Sequence, residues 1–347
     1  MTAPSPENEA QDRAIRRALL VALMVLGALV LTAVALSRSG LDAGRVEALL
    51  TRTRPGPLLG AMAIMTGGMT FMALRWRALI PDGRGLPAAG LTAIVCAGLL
   101  LNYALPGPVG ELAVALLVNR RYGTAVAPAL AAGIHSRFIG LAVAGVIAGA
   151  VWTFGRMPVP EQYAGLIGFT AIAIGVGATA LGVLSARPRL LRAASSRTAG
   201  ALGTALPGWP GQLMRRADRA VGMVADALGE VGRLGPRAYA EAIVWAICGH
   251  LSVATGIWVG SLAMGMDPYP PGVMFTYCAA TAGVVALFAV PGGQLGWDAM
   301  FWSFFTVTTG VDVADALAVT ALVRIQQVML LLIGGGALTL LGAQRRR

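Results

Sequence analysis

The sequence predicts an all-α integral membrane protein, a polytopic helical bundle with two Pro/Gly-broken re-entrant or half-helix elements related by an inverted repeat. Three observations predict this fold. The 347-residue chain is 56% hydrophobic and only 12% charged, whereas about a quarter of the residues of a soluble domain are charged. Its apolar runs match the about 20 residues that cross a bilayer. Two of these runs are also broken by proline and glycine in the same way.

The apolar runs give the elements in chain order. Runs long enough to span a membrane are residues 19–36, 57–74, 88–105, 125–154, 166–184, 239–264, 273–290 and 314–341. Two shorter runs, 112–118 and 299–307, follow the breaks and are expected to be half-helices. We expect five parts: an N-terminal tail 1–17, a membrane half 18–186, an Arg-rich loop 187–237, a second membrane half 238–342 and a tail 343–347.

Both breaks combine proline with glycine inside an apolar stretch. They comprise Pro106, Gly107 and Gly110 in the first half, and Pro291, Gly292, Gly293 and Gly296 in the second. In lipid, irregular backbone is tolerated only where protein or a water-filled cavity surrounds it. Interruptions at corresponding places of two halves are the best sequence pointer to a transporter's binding site.

The register around the breaks supports a repeat. In each half a carboxylate is followed by glycine after 12 positions and by arginine after 26: Glu111, Gly123 and Arg137, then Asp298, Gly310 and Arg324. The two halves are expected to be inverted, because the segment before each break enters the membrane from the opposite side. Inverted repeats around a central site are typical of transporters that work by alternating access.

Arginine in the loops predicts the orientation. The 27 basic residues are all arginine, as GC-rich bacterial genomes favour, and the net charge is +11. Because these arginines lie beside the spans, the charge indicates the positive-inside pattern rather than a nucleic-acid partner. Both termini are expected in the cytoplasm of a bacterium, the protein being a multi-pass protein of the inner membrane. The cytoplasmic loops should hold Arg75, Arg77, Arg84, Arg120 and Arg121, and the loop 38–54 should lie outside.

Four charged residues lie within the membrane half-helices and spans, namely Glu111, Arg137, Asp298 and Arg324. An ionised residue at the bilayer centre costs roughly 2.5–3.5 kcal/mol, so these four should face the bundle interior and pair. Two interpretations stay open. In the first, ion pairs within or across the repeats only fix the half-helices in position. In the second, the carboxylates hold the arginines so that their guanidinium groups bind an anionic head group.

Other features of the breaks favour an anion. Half-helices beginning near Val109 and Trp297 would point their N-terminal N–H groups into one cavity, with Glu111 and Asp298 in their first turns. Polar residues near the breaks and near the second arginine are expected to line a hydrated path: Asn102, Tyr103, Gln294, Gln326 and Gln327. The last two suit interhelical hydrogen bonds equally well.

Catalytic and metal sites are not expected. Cys96, Cys248 and Cys278 lie far apart in apolar runs, and His135 and His250 stand alone, so these side chains are predicted to pack or line rather than react. We expect no metal, no cofactor and no P-loop chemistry.

The Arg-rich loop 187–237 contains an amphipathic pattern at residues 213–231. Its apolar residues recur at helical spacing and its arginines take the other face. Such a helix lies on the inner leaflet or caps the bundle, or it forms a docking surface for a lipid-modifying enzyme.

On these residues the chain resembles the lysylphosphatidylglycerol synthase transmembrane-domain family, the flippase portion of bacterial multiple peptide resistance factors and their stand-alone relatives. The matching segments are Arg75-Trp76, Asn102 to Pro106, Gly110-Glu111, Arg120 to Gly123, Ser136-Arg137, Pro291 to Gly293, Gly296 to Asp298 and Arg324. The chain departs from the pattern at Val114, where the family carries a basic residue, at Ser136 and Gly140, where it carries acids, and at Asp298, where it carries Glu.

The resemblance implies a lipid translocase (flippase or scramblase). The charged and polar residues near the breaks are the expected head-group site: Arg137, Arg324, Glu111, Asp298, Asn102 and Gln294. Membrane lipids are then its expected partners, among them aminoacylated or other anionic phospholipids, glycolipids, hopanoid-type lipids and polyprenyl-linked sugars. The soluble transferase domain of the full-length synthases does not occur in this sequence, so synthase activity is not expected. The alternatives are a membrane partner of a lipid or polyprenyl glycosyltransferase and an integral-membrane lipid-modifying enzyme.

Overall fold

The computed structural model describes residues 43–104, 109–187, 189–190, 192–193, 196–197, 229, 234–283 and 293–343. In these residues the chain forms helices and turns and no β-strand. The helices are α1 (Ala43–Arg52), α2 (Pro55–Leu79), α3 (Ala88–Ala104), α4 (Val109–Tyr122), α5 (Val126–Phe154), α6 (Glu161–Ala186), α7 (Pro236–Ala263), α8 (Pro270–Gly283), α9 (Gly293–Thr309) and α10 (Val313–Ala343). A 3₁₀ turn, Gly83–Gly85, links α2 to α3.

Four of the described helices are long and apolar enough to cross a membrane: α2, α5, α7 and residues Val313–Ala337 of α10. The prediction of a polytopic helical membrane protein is confirmed. The predicted span 19–36 and the amphipathic helix 213–231 lie outside the described residues.

Both broken segments form antiparallel hairpins. In the first hairpin, α3 packs on α4 so closely that a Cβ atom on Gly98 would lie 3.1 Å from the carbonyl oxygen of Gly110. In the second, α8 packs on α9 through a 2.9 Å hydrogen bond between the hydroxyls of Thr276 and Thr308. The tips, 105–108 and 284–292, lie outside the described residues.

The hairpins open at opposite ends of α5. The first opens beside the start of α5, because Tyr122 ends α4 and α5 begins at Val126. The second opens beside the end of α5: the amide of Tyr269, just before α8, donates to Thr309 at the end of α9 (3.2 Å), and its hydroxyl donates to Gly155 after α5 (2.9 Å). We call these the α5-start end and the α5-finish end of the bundle.

Helices α2 and α7 form the central antiparallel pair. Glycines allow their close approach: a Cβ on Gly68 would lie 2.8 Å from Val253 and 3.6 Å from the carbonyl of Gly249, and one on Gly256 would lie 2.9 Å from the carbonyl of Ala61. At the α5-finish end the amide of Arg54 donates to Ala263 (2.7 Å).

The helices before and after each hairpin have matching neighbours. In the first half α2 contacts α3 and α5 contacts α4; in the second α7 contacts α8 and α10 contacts α9. Across the halves, α5 packs on α8 and α10 packs on α3. Exchanging α2–α5 with α7–α10 therefore maps these contacts onto one another, whereas the contacts of α6 with α5 and α8 have no counterpart. The inverted repeat itself stays a prediction.

The predicted loop 38–54 includes a short helix, α1, whose Arg52 forms an ion pair with Asp315 at the start of α10; its outer location stays a prediction. Two other expectations are wrong. Helix α9 begins at Gly293 rather than near Trp297, so Gly293 and Gly296 are helical and Asp298 lies beyond the first turn. Arg75 was expected in a cytoplasmic loop, but α2 continues to Leu79 and buries it. Arg77 lies in the last turn of α2, and Arg120 and Arg121 lie in the last turn of α4, so these three are helical too.

Candidate functional site

The first hairpin brings a carboxylate to α5. Glu111, in the first turn of α4, forms an ion pair with Arg137 in the interior of α5. The glutamate side chain is 6% exposed and that of the arginine 26%. The pair therefore ties the region behind the first tip to the inner part of a helix long enough to cross the membrane.

The second hairpin makes the corresponding link to α10. Arg324 donates from Nη2 to Asp298 Oδ1 at 2.6 Å and from Nε to Oδ1 and Oδ2 at 2.9 and 3.1 Å. Its guanidinium lies 5.7 Å from the centre of the Trp297 ring, and it also donates to the amide oxygen of Gln327. Arg324 is thus held by carboxylate, indole and amide together.

The pairing found is the one within each half. This pairing agrees with both interpretations of the sequence. A carboxylate bonded to an arginine can simply fix the helices in position, or it can also hold the guanidinium in place for a ligand. Arg137 also lines a cavity, an arrangement that suits the second interpretation.

A cavity of about 240 Å³ lies between α2, α5, α7, α8 and α9. Its walls combine aromatic, small and polar residues: Gly68, Met69, Met72, Arg75, Arg137, Gly140, Leu141, Trp245, Ala246, Gly249, His250, Val253, Tyr277, Thr281 and Trp297. The volume is below the about 300–1,000 Å³ of pockets that enclose drug-sized ligands. The cavity therefore suits a head group and not a whole lipid.

Arg75 is the site residue that the sequence reasoning missed. It is 8% exposed, lines the cavity and donates from Nε to the hydroxyl of Ser136 at 2.8 Å. Its guanidinium occupies the space beside Gly140, where a Cβ atom would lie 2.8 Å from Cζ. The carbonyl of Gly140 accepts a hydrogen bond from Nε2 of His250 at 2.9 Å.

The charges around Arg75 are not balanced by a carboxylate. In the part of the chain that the structure describes, the ion pairs join Arg52, Arg84, Arg137 and Arg324 to acids, and none involves Arg75. Arg75 and Arg137 also repel one another electrostatically. The cavity is therefore positively charged.

Two departures from the family pattern lie at this arginine. Ser136 and Gly140 stand where the resemblance implies acids, and both contact Arg75. A third departure, Val114, is buried against α3, and the fourth, Asp298, pairs with Arg324. The sequence signal for Arg75 was thus present but divided between two segments 61 residues apart.

The remaining predicted residues are placed as follows. Gly110 lies in the first turn of α4. Asn102 belongs to α3 and Gln294 to α9, but the structure does not describe the side chains of Asn102 and Gln294. Pro106, Gly107, Pro291 and Gly292 lie outside the described residues. His135 is fully buried and His250 lines the cavity. The cysteines are free, and no group of three potential metal ligands occurs among the described residues.

Fold and site together define a polytopic helical membrane protein in which two hairpins bring carboxylates to arginines on two long helices inside the bundle. The family model described as the lysylphosphatidylglycerol synthase TM region matches residues 19–335, and the chain belongs to this family. A membrane-lipid-related function is consistent with that membership. No curated protein and no solved structure matches the chain.

Proposed function

We propose that the chain is a lipid translocase of the bacterial cytoplasmic membrane, which moves an anionic or polar-headed lipid between the leaflets. The observation that carries the proposal is the arrangement of the two hairpins. They open at opposite ends of the bundle, and each carries a carboxylate to an arginine in the interior of a long helix. A polar head group needs such a charged path inside the bundle, while its acyl chains stay in the bilayer.

The ion pairs support a binding role because they preset the guanidinium groups. An arginine carries five N–H donors in a planar fork, and the Glu111 bond leaves Arg137 at the wall of the cavity. Charged residues inside a membrane are expensive and generally mark a substrate pathway. Two such pairs in matching positions therefore favour a transport path over a simple scaffold.

The distribution of arginine supports the orientation. At the α5-start end, the helix ends and loops carry Arg77, Arg84, Arg120, Arg121 and Arg237 together with two acids, Asp82 and Glu241. At the α5-finish end they carry Arg52, Arg54 and Arg156 together with Glu47, Glu161, Asp267, Asp312 and Asp315. By the positive-inside rule the α5-start end faces the cytoplasm.

The test is leaflet exchange of head-group-labelled anionic and zwitterionic lipids in proteoliposomes. Paired variants avoid leaving one buried charge alone: Glu111→Gln with Arg137→Gln, and Asp298→Asn with Arg324→Gln. The matched control is Glu241→Gln with Arg84→Gln, which removes an exposed ion pair.

Exchange in the wild type and in the control, but not in the two inner double variants, is the expected result. Wild-type exchange no faster than in empty vesicles, across lipid classes and with an imposed proton gradient, would overturn the proposal. The enzyme or partner alternatives would then gain support.

A further inference from the structure

Arg75 is a buried cation in a cavity rather than in a packed core. Its Nε is occupied by the hydroxyl of Ser136 at 2.8 Å, which leaves the two terminal NH₂ groups of the fork. Serine is neutral, so this bond orients the guanidinium without cancelling its charge. The cavity has the volume to hold a counter-ion beside it.

The second arginine of the cavity reinforces the demand for an anion. Arg137 lines the same cavity, and its positive charge repels that of Arg75. Glu111 compensates one of the two positive charges through its ion pair. One positive charge therefore remains uncompensated among the described residues, and Arg75 itself is 8% exposed.

We propose that this cavity binds a phosphate group, with the terminal guanidinium N–H groups of Arg75 as its donors and with Arg137 adding positive charge to the same wall, and that it thereby selects lipids whose head group has a net negative charge. This inference rests on the proposed function and names its substrate class. Arginine forks match phosphate oxygens in bidentate geometry. Tyr277 and Thr281 stand in the same wall with their hydroxyls hydrogen-bonded to each other, which leaves one hydroxyl proton of the pair as a further donor.

The same charges disfavour head groups that carry a cationic amine. An amine added to a phosphodiester cancels its negative charge, and a second amine makes the head group positive. Two arginines against one glutamate repel such groups. Aminoacylated and zwitterionic lipids are therefore expected to bind more weakly than phosphatidic acid or phosphatidylglycerol.

Binding is measured on the purified full chain in detergent, by thermal stabilisation with water-soluble dihexanoyl lipids. The probes are dihexanoyl phosphatidic acid, phosphatidylglycerol and phosphatidylcholine, together with inorganic phosphate. The wild type should bind the first two at least about tenfold more tightly than phosphatidylcholine, which corresponds to the loss of one charge-assisted hydrogen bond.

The deciding variants are Arg75→Gln, Arg75→Lys and Ser136→Asp, with Arg84→Gln as the control. Arg75→Gln should lose the preference, Arg75→Lys should keep part of it, and Arg84→Gln should keep all of it. Ser136→Asp retains Arg75 but places a carboxylate beside its Nε, and it should lose the preference too. A preference for anionic lipids that survives Ser136→Asp in folded protein, or equal binding of all three lipids by the wild type, would overturn the inference.

The experiment with inorganic phosphate distinguishes a site for the phosphate of a lipid head group from a site for free phosphate. Weak phosphate binding that the anionic lipids displace supports a lipid site. Phosphate binding that the lipids do not displace would overturn the lipid assignment. If the wild type exchanges lipids between leaflets but shows no preference that depends on Arg75, this inference is refuted and the proposed translocase function is not. If the preference is present but no exchange occurs, the translocase function is refuted and this inference is not.

Discussion

Glu111 and Arg137 form the more deeply buried of the two inner ion pairs. Removing one partner of a buried pair leaves an uncompensated charge, which costs about 3–5 kcal/mol. We expect Glu111→Gln to lower the free energy of unfolding by up to this amount, as measured by denaturant titration in mixed micelles. The double variant with Arg137→Gln should recover part of the loss.

The exposed pair between Arg84 and Glu241 is the comparison for that experiment. Exposed pairs contribute about 0–1 kcal/mol, so Glu241→Gln should barely change the unfolding free energy. Equal losses from Glu111→Gln and Glu241→Gln would contradict the assignment of Glu111 to a buried ion pair.

Gly140 is the residue that leaves room for Arg75. In Gly140→Ala the new Cβ would lie 2.8 Å from Cζ and 3.0 Å from Nη2 of Arg75, so the flexible arginine has to move. We expect normal folding but a loss of anionic-lipid binding of about tenfold, the effect of one charged hydrogen bond. Binding and thermal unfolding are measured on the same preparation.

Gly149→Ala supplies the matched control for Gly140→Ala. It lies in the same helix, α5, and has no neighbour within 4 Å of the added methyl group. Equal lipid affinity of the two variants would show that the space beside Gly140 is unimportant for Arg75.

The charged residues show how far the sequence reaches at this scale. Glu111, Arg137, Asp298 and Arg324 could be predicted as partners because charge inside an apolar run must be compensated. Arg75 could not, because it stands close to Arg77 near the end of its run and looks like a loop residue of the positive-inside pattern. Only the packing of α2 on α5 shows that it is buried.

At the scale of helices, apolar runs predicted most elements within a few residues. The prediction of 125–154 corresponds to α5 at Val126–Phe154, and 314–341 corresponds to α10 at Val313–Ala343. The run 57–74 was too short at its end because hydropathy stops at the first arginine, whereas the α2 backbone continues to Leu79. Helix α1 was missed because its composition is polar, so no apolar run marked it.

The contact between α2 and α7 depends on glycine. In Gly256→Ala the methyl group would lie 2.9 Å from the carbonyl of Ala61 and 3.0 Å from the amide of Met65, and backbone atoms cannot move aside cheaply. Overpacking of this kind costs about 1–3 kcal/mol. We expect a lower unfolding temperature in detergent.

Gly67→Ala is the control for that substitution, because nothing lies within 4 Å of the added methyl group. Alanine is the better helix former, by roughly 0.5–1 kcal/mol. Gly67→Ala should therefore be neutral or stabilising. A loss of stability equal to that of Gly256→Ala would argue against glycine-dependent packing of the two helices.

At the scale of the whole molecule, the opposite openings of the two hairpins predict sidedness. After replacement of Cys96, Cys248 and Cys278 by alanine, single cysteines are introduced as Ala125→Cys at the α5-start end and Val313→Cys at the α5-finish end. A membrane-impermeant maleimide should label Ala125→Cys from the cytoplasm and Val313→Cys from outside.

Permeabilised vesicles, in which both positions should react, serve as the control for accessibility. Labelling of both cysteines from the same side of sealed membranes would refute the arrangement of the hairpins. Exchanged sides would preserve the architecture and reverse the orientation that the arginines indicate.

Arg75 has no counterpart across the central contact of α2 with α7. The two helices approach one another closely at Gly68 and Gly249. Seven positions after Gly68 comes Arg75, whereas seven positions after Gly249 comes Gly256, which carries no charge. A lipid arriving from one leaflet would thus meet the cation in a different order from one arriving from the other. By microscopic reversibility, however, an asymmetric binding site cannot by itself enrich the lipid in one leaflet. Unequal affinities on the two sides change how long the lipid stays bound, but not the equilibrium ratio of its concentrations in the two leaflets. Any accumulation on one side must draw on a gradient or on consumption of the delivered lipid.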